Sequence, residues 1–387
     1  MVDKAQRPAG VILLAGLANT LSLCRSFGRA GIPVTICATR RCPAHYSRYR
    51  THSLLPRHNE SNMEFWRRVL LEDPREELTG NVLMACNDNA IEFVALNEGR
   101  LKNEYVLESI PARIRLSLLN KKQSISIAQE AGLQVPEMIE VMNIEDVHDS
   151  VQNWQLPVLV RPLISHEFTA IFGRKLILCQ SKGQIIDACE KAFRADVSVT
   201  LCEYVPGPDD LLCSYYTYMD DDGKPLFSFT KRVVRRHPYN FGEGSYHITQ
   251  WLPDVAAAGQ KFFDQAKLRG LGNVEFKKDP RDGQLKFIEC NARFTAAQEI
   301  LVRSNFDIGL FVYGQLTGRA ISLPKRFEEG IRMSIAYRDF KAYRNLSSDG
   351  KLKFGRWLWD TVSAEARPYF QWSDPMPSFS RLAKRWI

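Results

Sequence analysis

The chain has 387 residues, 45% of them apolar or aromatic and 25% charged, with a formal net charge of +8. That length supports two or three domains with full cores, and no apolar run reaches the roughly 18–20 residues that a membrane-spanning helix needs. The nine cysteines lack CxxC pairs or a zinc spacing and read as reduced, mostly buried thiols; with the polar first ten residues, they point to a cytoplasmic chain.

Gly10–Gly16 reads as a buried strand ending in a turn, Ala18–Ala30 as a helix, and Val34–Ala38 as the next strand. This β-α-β unit predicts a right-handed parallel sheet. The turn holds only Gly16 where a dinucleotide fingerprint needs GxGxxG, so a Rossmann-like scaffold without NAD is expected. Asn81–Cys86 is a further strand. It ends in Asn87-Asp88-Asn89, polar residues that either cap the next helix or face a crevice.

Lys121 opens a helix that runs to about Ala131, with Gly132 as its stop. Leu156–Pro162 is an apolar strand ending in Arg161-Pro162. Ser165, His166, Arg174 and Lys175 follow in a stretch poor in glycine. Val199–Val205 is a strand running into Pro206-Gly207-Pro208-Asp209-Asp210. Leu211–Met219, Leu226–Thr230 and Arg232–Val234 read as successive antiparallel strands, with a turn at Asp221-Asp222-Gly223. Alternation puts Lys231, Val233 and Arg235 on one face and Arg232 on the other. Phe241–Ser245 reads as a flexible loop, Asp254–Leu268 as an amphipathic helix stopped by Gly270, and Phe306–Leu316 as one more helix.

Asn273–Phe276 and Phe287–Arg293 read as two strands of a hairpin, with a turn in Lys277–Gln284, which holds a Pro and an Asp-Gly. Glu275 and Glu289 then lie on adjacent strands, and Asn291 shares the face of Glu289. Two carboxylates and an amide oxygen on one sheet face suit a hard divalent cation that clamps phosphate oxygens. Arg293 continues the alternation with a fixed positive charge. The alternative is a solvated hairpin with a polar outer face.

From Ile331 onward there are eleven basic residues against five acidic ones, with Trp357, Trp359, Trp372 and Trp386 among them. Lys351–Trp359 and Phe379–Trp386 read as basic aromatic helices that pack on the core or a partner, or lie on an anionic membrane surface. No motif for nucleic acid accompanies the charge.

The ordered series resembles the ATP-grasp superfamily over about residues 10–320. The series is Asn120-Lys121, strand-Arg161-Pro162, Glu203-Tyr204-Val205 with Asp210 seven positions after the glutamate, Glu275, and Glu289-x-Asn291-x-Arg293. The polar series around Ser165-His166, with a basic tail near Asp374-Pro375-Met376-Pro377, is similar to the carboxylate–amine ligase (carboligase) branch. The resemblance implies a mixed α/β and α+β fold with a Rossmann-like preATP-grasp domain over 1–115. An ATP-grasp domain would follow over 116–325, with a small subdomain at about 120–205, a large one at about 206–325, and a central antiparallel sheet. A C-terminal extension would occupy 326–387. It implies ATP and Mg²⁺, with Mn²⁺ as a substitute. Lys121, Arg161, Ser165, His166 and Lys175 would reach phosphates, Glu203, Tyr204 and Val205 adenine, and Asp210 the ribose. Glu275, Glu289 and Asn291 would hold the metal, and Arg293, Arg232 and Arg235 would stabilise the transferring group. The implied reaction joins a small carboxylate to an amine or thiol through an acyl phosphate, in a chain that is commonly a homodimer. A kinase-like phosphotransferase and a degenerate nucleotide-binding scaffold remain as alternatives. The chain departs from the family pattern at Arg161, where the family has Lys, at Gln134, where it has Pro, and in its scarcity of glycine after Pro162. Lysine and arginine are not interchangeable at a phosphate.

Overall fold

The structure is a computed structural model that describes residues 9–162, 172 and 176–383. Packing divides it into two compact units. The first contains residues 1–133, 208–276 and 289–387, and the second residues 134–207 and 277–288.

The first unit opens with a parallel sheet of β1 (Val11–Leu14), β2 (Val34–Cys37), β3 (His52–Leu54) and β4 (Val82–Ala85), ordered β3-β2-β1-β4. β1 is central and all four of its side chains are buried, which is why it reads as an unbroken apolar run. Gly16 follows at φ +77°, where a Cβ would lie 2.1 Å from Thr20 Oγ1; only glycine fits this turn into the helix Ala18–Arg29. Asn19 on that helix donates to Cys86 O at 2.7 Å and to Phe294 O at 2.9 Å, fastening the sheet to the segment after residue 291.

The second unit is an antiparallel sheet of β5 (Met138–Val141), β6 (Val158–Pro162), β7 (Ile177–Cys179) and β8 (Val199–Glu203), ordered β5-β8-β6-β7. Helices Ile144–Val151 and Lys182–Phe193 cover one face through Val147, Val151, Ile185 and Ala192, all buried. Residues 163–171 and 173–175 lie outside the described residues, so the expectations for Ser165, His166 and Lys175 have no structural counterpart here.

A six-stranded sheet carries the rest. Its strands are β9 (Leu212–Met219), β10 (Pro225–His237), β11 (Glu243–Thr249), β12 (Gly270–Lys278), β13 (Leu285–Asn291) and β14 (Arg332–Ser334), ordered β13-β12-β9-β10-β11-β14. Three local expectations are corrected. The two strands expected over 226–234 are one continuous β10. The expected loop Phe241–Ser245 enters β11 at Glu243, because its residues pair with Arg235–His237. The helix Pro253–Ala266 ends at Lys267, which takes the left-handed cap at φ 53° in place of Gly270.

The C-terminal segment belongs to the same unit as the parallel sheet because buried charges tie them. Arg25 Nε donates to Asp374 Oδ2 at 2.9 Å, its Nη1 to Pro368 O at 2.8 Å, and Ser47 Oγ to Asp374 Oδ2 at 2.8 Å. Arg25 and Asp374 are 0% and 1% exposed, so each neutralises a charge that burial alone would not tolerate.

Candidate active site

Within the first unit, a row of polar side chains crosses one face of the six-stranded sheet. Ser214 on β9 donates to Glu275 Oε1 on β12 at 3.4 Å. Lys231 on β10 donates to Ser214 Oγ at 3.0 Å and meets His247 Nδ1 on β11 at 3.4 Å. The register that pairs Lys231 with Ser214 makes this row, since partners in a ladder share a face. Lys231 is 1% and His247 6% exposed. Burial pushes the Glu275 carboxyl up, and the neighbouring Glu289 charge pushes it further. Burial pulls the Lys231 ammonium down, against the attraction of Glu275. Burial and the Lys231 charge hold His247 well below its ordinary value, so the imidazole is neutral and its Nδ1 accepts from the ammonium.

Glu289 and Asn291 stand on β13 at the edge of this row. Asn291 Nδ2 donates to Asn273 Oδ1 at 3.3 Å and to Glu289 Oε1 at 3.4 Å, which turns its amide oxygen toward other partners. No group of three or more His, Cys, Asp or Glu suited to a metal occurs among the described residues. The donor set is instead two like-charged carboxylates and one amide oxygen. That set fits Mg²⁺, which takes one or two carboxylates and completes its shell with water and phosphate oxygens. Arg293 Nε donates to Asp88 Oδ1 at 2.6 Å. Burial opposes the Arg293 charge, but Asp88, Glu289 and Glu275 together hold its guanidinium above its ordinary value. Asn87, not Asp88, caps the helix Asp88–Leu96, which leaves Asp88 for this pair.

The basic run after Thr230 divides in a way that strand alternation did not anticipate. The β10–β11 register slips between Val233 and Arg235 and slips back between Arg235 and Arg236, so simple alternation fails at Arg235. Arg235 is turned from Lys231 and donates from Nε and Nη2 to both oxygens of Asp339 at 2.9 Å, and from Nη1 to Asp360 at 2.7 Å. Its expected role at the phosphoryl group is corrected on this ground: three N–H groups are engaged with helix carboxylates. Arg236 binds Asp209 at 2.8 Å, yet its Nη2 is buried without a partner, as is Arg232 Nε. Two buried, unanswered guanidinium donors are what an anion would satisfy. Asp209 also accepts from the Arg236 and Asn240 backbone N–H groups, so Asp210 is the acid of that pair left available as an acceptor. Lys121 occupies the first turn of the helix Lys121–Glu130, exposed and capped by Asn120.

In the second unit, Glu203 at the end of β8 receives Lys286 Nζ at 2.7 and 2.9 Å, Arg281, and the Glu137 backbone N–H at 3.0 Å. Burial opposes its charge, but these partners hold the carboxyl below its ordinary value. Lys277 donates to Val205 O at 2.9 Å and Gly207 O at 3.0 Å, fixing the segment that leaves β8, and its ammonium lies 5.6 Å from the centre of the Tyr204 ring. Arg161 on β6 lies against Cys202 of β8.

No protein-family model matches the chain. Among curated proteins it is similar to a D-aspartate ligase of Enterococcus faecium (strain Aus0004), 21% identical over 319 residues, 78% of this chain and 75% of the relative. Among solved structures it is similar to the ADP complex of an N5-carboxyaminoimidazole ribonucleotide synthetase, with a TM-score of 0.64, 13% identity, and coverage of 88% and 85% of the two chains. It is also similar to an L-amino acid ligase from Bacillus licheniformis, with a TM-score of 0.58, 17% identity, and coverage of 80% and 75%. The chain has the ATP-grasp fold.

On that fold the sequence singled out the metal hairpin and passed over Ser214, Lys231 and His247. Lys231 lay inside a basic run and looked equivalent to its neighbours. Ser214 and His247 sit on strands whose register no local pattern specifies.

Proposed function

We propose that this chain is an ATP-dependent ligase that joins a small carboxylate to an amine, releasing ADP and phosphate. The carrying observation is the buried row Glu275–Ser214–Lys231–His247 beside Glu289, Asn291 and Arg293, a set of charges incomplete without a ligand. Glu203, Tyr204 and Val205 hold adenine, Asp210 the ribose, and Lys121 and Arg161 the phosphates. Glu275, Glu289 and Asn291 would hold Mg²⁺, or Mn²⁺ in its place; the ion would offset phosphate charge and orient the γ-phosphoryl group. Lys231 supplies a desolvated ammonium, and Arg293 and Arg232 supply fixed positive charge where the transferring group spreads its own. The carboxylate oxygen attacks the γ-phosphorus, ADP leaves, and the amine then displaces phosphate from the acyl phosphate to form an amide. The protein supplies positioning and charge, and no protein nucleophile takes part.

The relatives act on small molecules, and a homodimer in the cytoplasm is the expected setting, with nine free thiols in agreement. No helix long and apolar enough to cross a membrane occurs among the described residues. Trp372 and Trp359, 87% and 65% exposed among basic neighbours, offer a surface for peripheral contact with anionic lipid.

The test is calorimetry of ATP with Mg²⁺, on the wild type and on Glu289→Ala with Asn291→Ala. The double variant is expected to lose metal-dependent binding and to keep its unfolding midpoint. ADP release is then screened over amino acids and other small acids paired with amines. A folded wild type that binds no ATP with Mg²⁺ present would leave a scaffold. A phosphorylated product without amide would make the chain a phosphotransferase.

A further inference from the structure

A cleft of about 630 Å³ opens within the C-terminal segment, away from the row of Glu275 and Lys231 in its lining residues. Its walls come from the end of β10, from β14, from the helices Ala336–Ser348 and Met376–Ala383, and from the stretch 361–370. Ile335, Val362, Tyr369 and Phe370 give it an apolar and aromatic surface. Arg338, Lys341, Arg367 and Arg381 also line it, and no Asp or Glu does. Arg338 is already engaged, donating to Gly244 O at 3.0 Å and pairing with Glu243. The Arg381 guanidinium carbon lies over the Tyr369 ring, 3.4 Å from its centre. Lys341 stands over the Tyr337 ring at 4.7 Å; Arg367 donates from Nη2 to Val362 O, and neither cation has an ion pair with a carboxylate among the described residues.

Three buried polar atoms of the lining have no protein partner: Ser334 Oγ, His237 Nδ1 and Thr361 Oγ1. Ser334 is 4% exposed. Buried polar atoms without partners are rare, and here three converge on one cleft. Burial, then the Lys341 and Arg338 charges, hold His237 below its ordinary value, so at neutral pH its ring is neutral and able to share a hydrogen bond.

We propose that this cleft binds a small organic acid, a carboxylate carried on an aromatic or branched aliphatic body. The one-signed charge selects an anion. The planar guanidinium of Arg367 and the ammonium of Lys341 suit a carboxylate at the rim. The aromatic walls take the body, and Ser334, Thr361 and His237 fix its polar atoms. The volume falls within the range that encloses ligands of this size. The proposal stands apart from the ligase reading, since none of its residues is assigned to nucleotide or metal.

The test is calorimetry on the full chain with 4-phenylbutyrate, indole-3-acetate and 4-methylpentanoate, beside 4-phenylbutyramide and inorganic phosphate. At least one acid is expected to bind saturably, one to one, with the amide about tenfold weaker or worse. Lys341→Gln with Arg367→Gln is expected to weaken the acid by about tenfold or more while leaving the urea midpoint and ATP binding unchanged. No saturable binding of any of the three acids overturns the proposal. So does equal binding of acid and amide, phosphate binding as tightly as the acids, or a double variant that binds as the wild type does.

Discussion

Two buried charge networks in the same unit are built to opposite plans. Around Arg235, every charge is answered: Asp339 receives two N–H groups and Ser245 Oγ at 2.8 Å, while Asp360 receives Arg235 and Arg356 at 2.9 Å. The guanidinium also lies 4.1 Å from the Tyr246 ring centre. Around Lys231 the balance is unfinished. Glu275 and Glu289 repel, Lys231 is pulled toward neutrality, and Arg236, whose charge reaches Glu275, keeps an unanswered donor. A satisfied network rigidifies the fold, whereas an unsatisfied one is costly and is retained where a ligand completes it. The difference lies in the partners: Lys231 is as buried as Arg235, but among the described residues no carboxylate answers it with both oxygens as Asp339 answers Arg235.

The contrast breaks or sharpens at three positions. Arg235→Met leaves Asp339 buried without its cation, while Asp360 keeps Arg356, and the expected loss is about 3–5 kcal/mol of stability. Urea unfolding measures it. A loss below about 1 kcal/mol with a collapse of kcat would return Arg235 to the reaction and erase the distinction. Lys231→Met is expected to lower turnover about 10²–10³-fold while ATP affinity changes little, because the ammonium acts on charge that develops in the transition state. The same substitution removes a buried ammonium that its surroundings desolvate, so the protein is expected to be no less stable. A variant that unfolds and keeps its specific activity would place Lys231 with Arg235.

The smallest effect concerns pH. The folded value of His247 is depressed, so its contribution is full above about pH 6.5 and is lost as pH falls, the unfolded chain taking up a proton that the folded one refuses. Below about pH 6.5 this adds a slope of up to about 1.4 kcal/mol per pH unit. His247→Gln is expected to flatten the wild-type slope between pH 6.5 and 5, read from urea midpoints without nucleotide or metal. An unchanged slope would show that His247 titrates normally and is not held by Lys231.

The ordered elements of the ATP-grasp fold, and the hairpin that carries Glu275 and Glu289 with its turn between residues 277 and 284, were legible in the sequence because each is written in local chemistry. A buried strand reads as a run of apolar residues, a hairpin needs its glycine, and two carboxylates and an amide at alternate positions share a face. Only the tertiary structure decided which cation in Lys231–Arg236 faces the carboxylates. Two opposed register slips on either side of Arg235 send it to Asp339 and Asp360, more than a hundred residues away in sequence. It likewise decided that Asp374, in the Asp-Pro-x-Pro of the tail, is the buried partner of Arg25. Partners so distant in sequence leave no local pattern, and a buried charge keeps its meaning only through the partner that the fold brings to it.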